Sequence, residues 1–128
     1  MGLLNKAAIY PGGYIFVVES NNQTAIPIMD LPPGTLVTRV LAEVIKPAVR
    51  SAGNVFLMVG DNVIADGYIA PCDAKASAGT LYGSDTAQPG GYLKATETHI
   101  LQLKLDTTVD TQGIYRIIVE FLGFHLIK

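Results

Sequence analysis

Histidine and cysteine are the side chains with which this chain could carry out chemistry, and it holds few of them. There are two histidines, His99 and His125, and one cysteine, Cys72. Nucleophilic catalysis requires a base and an orienting group beside the nucleophile, and a zinc site requires several nitrogen or sulfur ligands. Both histidines lie among apolar residues, where a histidine is usually structural. We therefore expect no enzymatic activity and no cofactor.

Cys72 is expected to be a free thiol, because a single cysteine has no intrachain partner for a disulfide. Lone cysteines usually behave as small buried hydrophobic residues. An intermolecular disulfide is the alternative. The cysteine count is compatible with synthesis in a reducing cytoplasm.

Three aspartates, Asp61, Asp66 and Asp73, lie close together around the segment Gly-Asp-Asn-Val-Ile-Ala-Asp-Gly. Calcium sites use several loop oxygens, and carboxylates near glycine often supply them. The spacing lacks the alternate acids and the closing glutamate of an EF-hand. Asp66-Gly67 is explained more simply as a turn dipeptide. A structural ion near Asp61 and Asp66 stays an open alternative.

Composition excludes some partners and favours others. Lys and Arg total 9 against 11 Asp and Glu, and no two basic residues are adjacent. Nucleic-acid binding normally requires a concentrated basic surface, and so does attachment to an anionic membrane. Charged residues make up 16% of the chain and hydrophobic residues 49%, whereas a typical domain is about 25% charged. Because interface cores are depleted of Lys, Glu and Asp, we expect part of the surface to be covered in an assembly. A monomer with a polar, uncharged surface is the alternative.

No apolar run approaches the ~18 residues of a membrane-spanning helix. The apolar N-terminal segment is interrupted at Pro11-Gly12-Gly13 before it reaches the length of an export signal. We interpret residues 1–12 as an N-terminal arm or a first strand, and residues 13–128 as one domain.

Alternating apolar residues predict β-strands at the C-terminal end of the chain. His99, Leu101, Leu103 and Leu105 occupy every second position, and so do Tyr115, Ile117, Val119 and Phe121. A period of two places one set of side chains on the core face of a sheet. The polar residues 106–113 between the two segments form a natural connection.

Further strands are predicted upstream. Thr35 to Lys46 is interpreted as a long strand with Leu36, Thr38, Val40, Ala42 and Val44 on one face; a helix is the alternative, but β-branched residues and flanking prolines favour a strand. Asn54 to Gly60 is expected to be a strand buried on both faces. Residues 14–19 and 24–29 are expected to form a hairpin around Ser20 to Gln23, with Pro27 at a sheet edge or bulge.

Residues 65–91 differ in character, because they are rich in glycine and poor in large apolar side chains. We interpret this segment as an ordered excursion between strands, with one helical turn near 70–79 as an alternative, and as a place for partner contacts. About eight short strands in total are typical of an all-β, antiparallel β-sandwich of the jelly-roll kind. Gly12-Gly13 and Gly90-Gly91 lack the spacing of phosphate-binding loops. They are expected at the starts of strands.

Several short motifs between Asp30 and Phe121 resemble those of small virion proteins of tailed phages, of the type that decorates or cements capsids. These motifs are Leu-Pro-Pro-Gly-Thr-Leu-Val at 31–37, Val59-Gly60-Asp61, Asp66-Gly67-Tyr68-Ile69-Ala70, Ala78-Gly79-Thr80, Gly90-Gly91-Tyr92 and the strand Arg116 to Phe121. The apolar segment from Phe121 to Lys128 extends past the usual end of such chains.

The resemblance implies a homo-oligomer, often a trimer, that is made in the host cytoplasm and binds the major capsid protein on the virion surface. Tail, collar or fibre-base components are the first alternative. The six tyrosines, with no tryptophan, leave a carbohydrate-binding module as the second, although packing at interfaces is the more usual role of tyrosine. The expected contact elements are Gly2 to Tyr10, residues 65–91 and Phe124 to Ile127. The candidate interface residues are Leu3, Leu4, Tyr10, Tyr68, Tyr82, Tyr92, Phe124, Leu126 and Ile127.

Overall fold

The fold is taken from a computed structural model, which describes residues 6–22, 25–83, 93–94 and 98–127; side chains are described for residues 12–22, 25–83 and 98–122. These parts of the chain contain strands and connecting turns but no helix. Accordingly, no helix in the described part is long and apolar enough to cross a membrane. The strands are β1 Lys6–Glu19, β2 Ile26–Leu31, β3 Thr35–Lys46, β4 Phe56–Asp61, β5 Ile69–Asp73, β6 Leu81–Gly83, β7 Leu93–Lys94, β8 His99–Leu105 and β9 Ile114–Ile127.

The strands form two antiparallel sheets. One sheet has the order β1-β9-β3-β6, with the short β7 also pairing with β3, and the other has the order β2-β8-β4-β5. From β1 to β4 the chain changes sheet at every step, and it changes again between β5 and β6, between β7 and β8, and between β8 and β9. Two four-stranded sheets linked in this way form a jelly roll. The all-β sandwich predicted from the sequence is therefore confirmed.

The core lies between the two sheets and follows the alternation seen in the sequence. In β8 the residues His99, Leu101, Leu103 and Leu105 are all buried, and in β9 so are Tyr115, Ile117 and Val119. Full burial of a leucine or isoleucine side chain contributes about 2–3 kcal/mol each. Tyr115 of β9 also links the two sheets, because its hydroxyl donates to the carbonyl of Ala74, the residue after β5. The distance is 2.8 Å. Burial raises the pKa of this hydroxyl to about 12.

The long strand β3 is confirmed, and so is the shared face of Val40, Ala42 and Val44, but the alternation does not extend to Leu36 and Thr38 at its start. Thr35 and Val37 are buried near its start, whereas Val40, Ala42 and Val44 are buried further on. The register with β9 shifts between Val37 and Arg39. A bulge adds one residue to a strand and moves the following side chains to the other face. Thr38 is therefore exposed, although strict alternation placed it inside.

The predicted hairpin around Ser20 to Gln23 is wrong. β1 and β2 belong to different sheets, so the chain crosses from one layer to the other between them. The Ser20 hydroxyl donates to the Gln112 side-chain oxygen at 2.7 Å and accepts from the Gly113 backbone N–H. These bonds fasten the crossing to the start of β9. The prediction for Pro27 is confirmed, since β2 is an edge strand with a register shift between Pro27 and Met29.

Strand β1 is longer than the sequence suggested. It runs from Lys6 to Glu19 and pairs with β9 along its whole length, from Lys6 opposite Ile127 to Glu19 opposite Ile114, without a register shift. Gly12 and Gly13 therefore lie inside a strand instead of at its start, and the strand crosses the expected boundary after residue 12. The apolar segment that begins at Phe121 is the second half of β9, and its pairing partner is the first half of β1.

The glycine-rich middle contains more regular structure than an excursion. β5 forms a hairpin with β4, and β6 adds to the edge of β3. The Gly79 N–H donates to the Val44 carbonyl at 2.7 Å, and the positive φ of Gly79 permits the turn between β5 and β6. Residues 84–91 of the expected excursion lie outside the described part of the chain.

Candidate interaction surface

The outward face of the β1-β9-β3-β6 sheet carries the largest exposed apolar side chains of any described strand. Ile15 and Val17 of β1 are 67% and 64% exposed, and Leu81 of β6 is 57% exposed. Strands β2, β4, β5 and β8 contribute none of the large exposed apolar side chains found in the described residues. Apolar exposure on the strands is therefore concentrated on one sheet.

The register of the sheet places these residues in rows. Ile15 lies opposite Ile118 of β9, which lies opposite Leu41 of β3, so an apolar row crosses three strands. Ile118 and Leu41 are half-buried. We refer to the residues Gly13, Ile15, Val17, Leu41 and Ile118 as the outer strip.

Two ion pairs border the outer strip. Arg39 Nη2 lies 2.8 Å from Glu120 Oε1 in the row beside Gly13. Arg116 pairs with Glu43 in the row beside Val17. Both pairs are partly exposed, so each contributes at most about 1 kcal/mol to stability. Since Arg39 and Arg116 each have a negative neighbour within the sheet, the charges on either side of the apolar row balance.

A depression adjoins the outer strip at two glycines, Gly12 and Gly13. Its volume is about 410 Å³, and it is lined by Gly12, Gly13, Thr38, Glu120, Phe121 and Leu122. Gly12 has no room for a side chain, because a Cβ there would lie 2.4 Å from the Phe121 ring. A Cβ on Gly13 would meet the Val119 carbonyl oxygen at 3.3 Å and Glu120 Cγ at 3.9 Å. Gly13 therefore leaves open space beside Ile15.

The edges of the two sheets are protected unequally. An exposed edge presents unpaired backbone groups, and proline, charge, bulges or short length normally keep other strands away. β2 has Pro27 and a bulge, β5 has Pro71 and Asp73, and β6 is only three residues long. β1 contains Lys6, Pro11 and Glu19, but it has fourteen residues and no bulge, and its segment from Gly12 to Val18 has neither a proline nor a charge. The apolar outer strip therefore borders a stretch of sheet edge without these protections.

A second depression lies where β1 and β9 face β2 at one end of the sandwich. Its volume is about 460 Å³, and its lining includes Tyr14, Met29, Asp30, Thr35, Thr98 and Phe121. The Tyr14 and Phe121 rings are stacked with their centres 5.8 Å apart. Tyr14 is 53% exposed. This cleft combines an aromatic surface with a carboxylate and two hydroxyl groups.

Among the expected interface residues, side chains are described for Tyr68 and Tyr82. Tyr68 is a correction: it is fully buried in the core, so its ring has no surface to offer a partner. Burial, and then the charge of Asp61, raise the pKa of its hydroxyl. Tyr82 is half-buried, and its hydroxyl donates to the Asp73 carbonyl at 3.0 Å.

The remaining predicted contacts lie in parts of which less is described. Leu3, Leu4 and Tyr92 are outside the described residues, and only the backbone is described for Tyr10, Phe124, Leu126 and Ile127. Residues Lys6 to Ile9 of β1 pair with Phe124 to Ile127 of β9. This part of β9 extends beyond Thr35, the first residue of β3, which pairs with Gly123. The two expected contact elements at the chain ends are thus neighbouring strands. Their contacts with a partner stay a prediction.

His99 and Asp61 form a structural network with the turn after β4. His99 Nδ1 lies 3.0 Å from Asp61 Oδ2, and both side chains are buried. The other oxygen of Asp61 accepts from the backbone N–H groups of Val63 and Ile64, both at 2.8 Å. This arrangement fastens the turn after β4 to the start of β8. The Asp61 carboxylate, which was a candidate ion ligand in the sequence, is therefore hydrogen-bonded within the protein.

Asp73 and Cys72 have their own contacts within the described part of the chain. Asp73 accepts from the Lys75 backbone N–H at 2.8 Å, and no group of three potential metal ligands occurs among the described residues. Cys72 is a half-buried thiol whose Sγ lies 3.5 Å from the Leu57 carbonyl oxygen. Burial, and then the charge of Asp73, raise its pKa to about 12. Such a thiol is protonated and weakly reactive at neutral pH. His125 lies in β9, where only its backbone is described.

Sequence reasoning missed the outer strip, although the sequence contained a sign of it. Tyr14 to Val18 is apolar at every position, whereas a strand with one wet face alternates. The same feature was visible in β9, where Ile114 and Ile118 share the face of Arg116. Only the strand register shows that Ile15, Ile118 and Leu41 form one row.

Comparison with known proteins finds similarity in structure only. No protein-family model matches the sequence, and no curated protein matches it. Similar chains occur in the capsid asymmetric unit of the cyanophage Pam1, with a TM-score of 0.60, 19% identity and coverage of 96% of this chain and 89% of that one. A chain in the acidic stable capsid of the Helicobacter pylori bacteriophage KHP30 matches with a TM-score of 0.63 and 16% identity, and the match covers 98% of this chain and 99% of that one. A chain in the capsid of Ralstonia phage GP4 matches with a TM-score of 0.65 and 13% identity, and the match covers 91% of this chain and 84% of that one.

These similarities define a class of fold. At such low identity they show that the chain shares its jelly roll with chains of phage capsid structures, and the predicted resemblance to phage virion proteins is shown at this level. The coverage is reciprocal in all three cases, so each matched chain is a domain of comparable length.

Proposed function

We propose that this chain is a non-enzymatic structural protein of a tailed-phage virion that decorates the capsid and cements its subunits. It is made in the host cytoplasm and binds the major capsid protein on the outer surface of the particle, as a homo-oligomer for which a trimer is our working assumption. The observation that carries the proposal is the reciprocal structural match with chains of three phage capsids. A jelly roll alone would not suffice, because this fold serves many functions.

The surface chemistry supports the proposal independently. Soluble proteins usually bury large apolar groups, and contiguous exposed apolar patches often mark interaction sites. The outer strip exposes two β-branched residues between two ion pairs. An interface of standard size, about 1,600 Å² in total, holds a small subunit firmly if its centre is well packed. Many such contacts across subunit boundaries raise the free energy needed to expand or rupture a shell.

Cryo-electron microscopy of the parent particle tests this proposal. We expect density for the jelly roll on the capsid faces, seated across boundaries between major capsid subunits. Density confined to the tail, collar or fibre base would replace decoration with that alternative. Absence of the chain from purified particles would refute a virion role altogether.

The cleft at the end of the sandwich favours one second candidate, a carbohydrate-binding module. Stacked aromatic rings beside Asp30 and the hydroxyls of Thr35 and Thr98 suit a sugar ring and its hydroxyl groups. A glycan array with the wild-type protein tests this function, with Tyr14→Ala as the variant that removes the aromatic surface. Binding that Tyr14→Ala abolishes would support it, and a wild-type array without hits would end it.

A further inference from the structure

We propose that the outer strip is the surface by which the protein docks, and that its occupant is an uncharged apolar segment of the shell protein with one side chain seated in the depression over Gly13. This inference rests on the proposed function and adds the docking surface and the chemistry of the partner.

The first argument comes from exposure. Ile15 and Val17 are more exposed than any other large apolar residue on the described strands. Both are β-branched residues fixed in a sheet, so they lose little side-chain freedom when a partner covers them. Rigid, exposed apolar groups of this kind are well suited to the centre of an interface.

The second argument comes from charge. The ion pairs Arg39–Glu120 and Arg116–Glu43 are formed within the sheet on either side of the apolar row. A strongly charged partner would find no unpaired opposite charge there, and would have to disrupt these pairs or bury its own charge at high cost. A neutral, apolar segment matches the strip without either penalty. Nucleic acid, which requires exposed cations, does not.

The third argument comes from shape. Gly13 leaves a depression of about 410 Å³ beside Ile15, and its backbone is in an ordinary strand conformation that a larger residue can adopt. The part of the β1 edge without proline or charge, Gly12 to Val18, runs along the same strip, so an extended segment can lie beside it and use its backbone groups. The strip therefore offers a socket, an apolar row and an open edge side by side.

Reconstitution on shells that lack the protein tests the inference. Wild-type protein is mixed with purified shells, and bound copies are counted after sedimentation. Ile15→Lys and Val17→Lys place a charge on the strip, Gly13→Leu fills the socket without a charge, and Val63→Lys is the matched control. Val63 lies in a turn far along the chain and is 62% exposed, close to the 64% of Val17. Circular dichroism and urea unfolding verify that each variant is folded.

We expect the three strip variants to bind at least about tenfold more weakly than wild type, and Val63→Lys to bind like wild type. Equal binding by folded strip variants would overturn the inference and leave decoration standing. Failure of wild type itself to bind would instead refute the proposed function. If wild type without shells is an oligomer that Val17→Lys dissociates, the occupant is a second copy of the chain, and the inference is wrong.

Discussion

Two regions of the molecule surround their side chains in opposite ways: the corner where β4 meets β8, and the outer strip on β1. In the corner, Gly60 packs directly beneath the backbone of Ile64 and Ala65, and Asp61 is bonded to His99 and to two backbone N–H groups. On the outer strip, Ile15 and Val17 leave most of their surface open. The residues of the corner stabilise the fold, whereas those of the outer strip leave apolar surface exposed.

This difference predicts whether a substitution should change stability or association. Changes in the corner should lower stability, because groups there have no alternative partners once buried. Changes on the strip should leave stability nearly unchanged and weaken association. The experiments below separate the two regions, beginning with the largest expected effect on the free energy of unfolding.

Gly60→Ala should have the largest effect. A Cβ at this position would lie 2.1 Å from the Ile64 carbonyl oxygen and 2.4 Å from the Ala65 carbonyl carbon, so the turn backbone has to move. We expect a loss of about 3 kcal/mol or more in urea unfolding. The matched control is Gly13→Ala, whose Cβ would meet the Val119 carbonyl oxygen at 3.3 Å and Glu120 Cγ at 3.9 Å; this substitution should cost less than about 1 kcal/mol. Equal losses in both variants would contradict the distinction.

Asp61→Ala should rank next. It removes the acceptor for His99 and for the N–H groups of Val63 and Ile64. Loss of a buried charged acceptor costs about 2–3 kcal/mol. Asp66→Ala, in the same loop, should change the free energy of unfolding by less than about 0.5 kcal/mol. A stable Asp61→Ala protein would show that the corner is not held by this network.

Alkaline pH should weaken the fold by a smaller amount. Burial raises the pKa of Cys72 from 9.0 and that of Tyr115 from 10.0, each to about 12. Between these limits the unfolded chain loses protons that the folded chain keeps, so stability is complete below pH ~9 and falls as pH rises. We expect a loss on the order of 1 kcal/mol at pH ~10. Cys72→Ala should reduce this slope, and a slope unchanged by that substitution would exclude Cys72 as its source.

Val17→Lys should have the smallest effect on the isolated protein. Val17 is 64% exposed, and surface substitutions usually change stability by less than about 0.5 kcal/mol. The control, Val63→Lys, should behave alike in urea unfolding. A loss of about 2 kcal/mol or more for Val17→Lys alone would mean that Val17 supports the fold and does not serve association.

The sequence predicted the strands of the sandwich best where one face of a strand is exposed to solvent. β8 and β9 have an apolar residue at every second position, and the buried residues among them were identified by position alone. β3 was identified as a strand with the wrong inward face at its start, because the bulge near Thr38 depends on pairing with β9 and not on local composition. The supposed hairpin at Ser20 failed for a similar reason. Turn residues mark a change of direction, but they do not show whether the chain returns to the same sheet or crosses to the other.

The interaction surface was less predictable than the fold. Tyr68 was expected at an interface because tyrosine is frequent there, but it lies in the core. Ile15, Ile118 and Leu41 are distant in sequence and become a row only through the registers of β1 with β9 and of β9 with β3. Such a surface is a property of strand pairing, and a one-residue change in register would turn these side chains to the other face.

The central claim is that this protein strengthens a capsid by covering it. The most direct measurement is the temperature at which shells lacking the protein release their DNA, recorded with and without added wild-type protein. A clear rise in that temperature, saturating as the binding sites fill, is the expected result. An unchanged temperature on shells that carry a full complement of bound protein would contradict the claim.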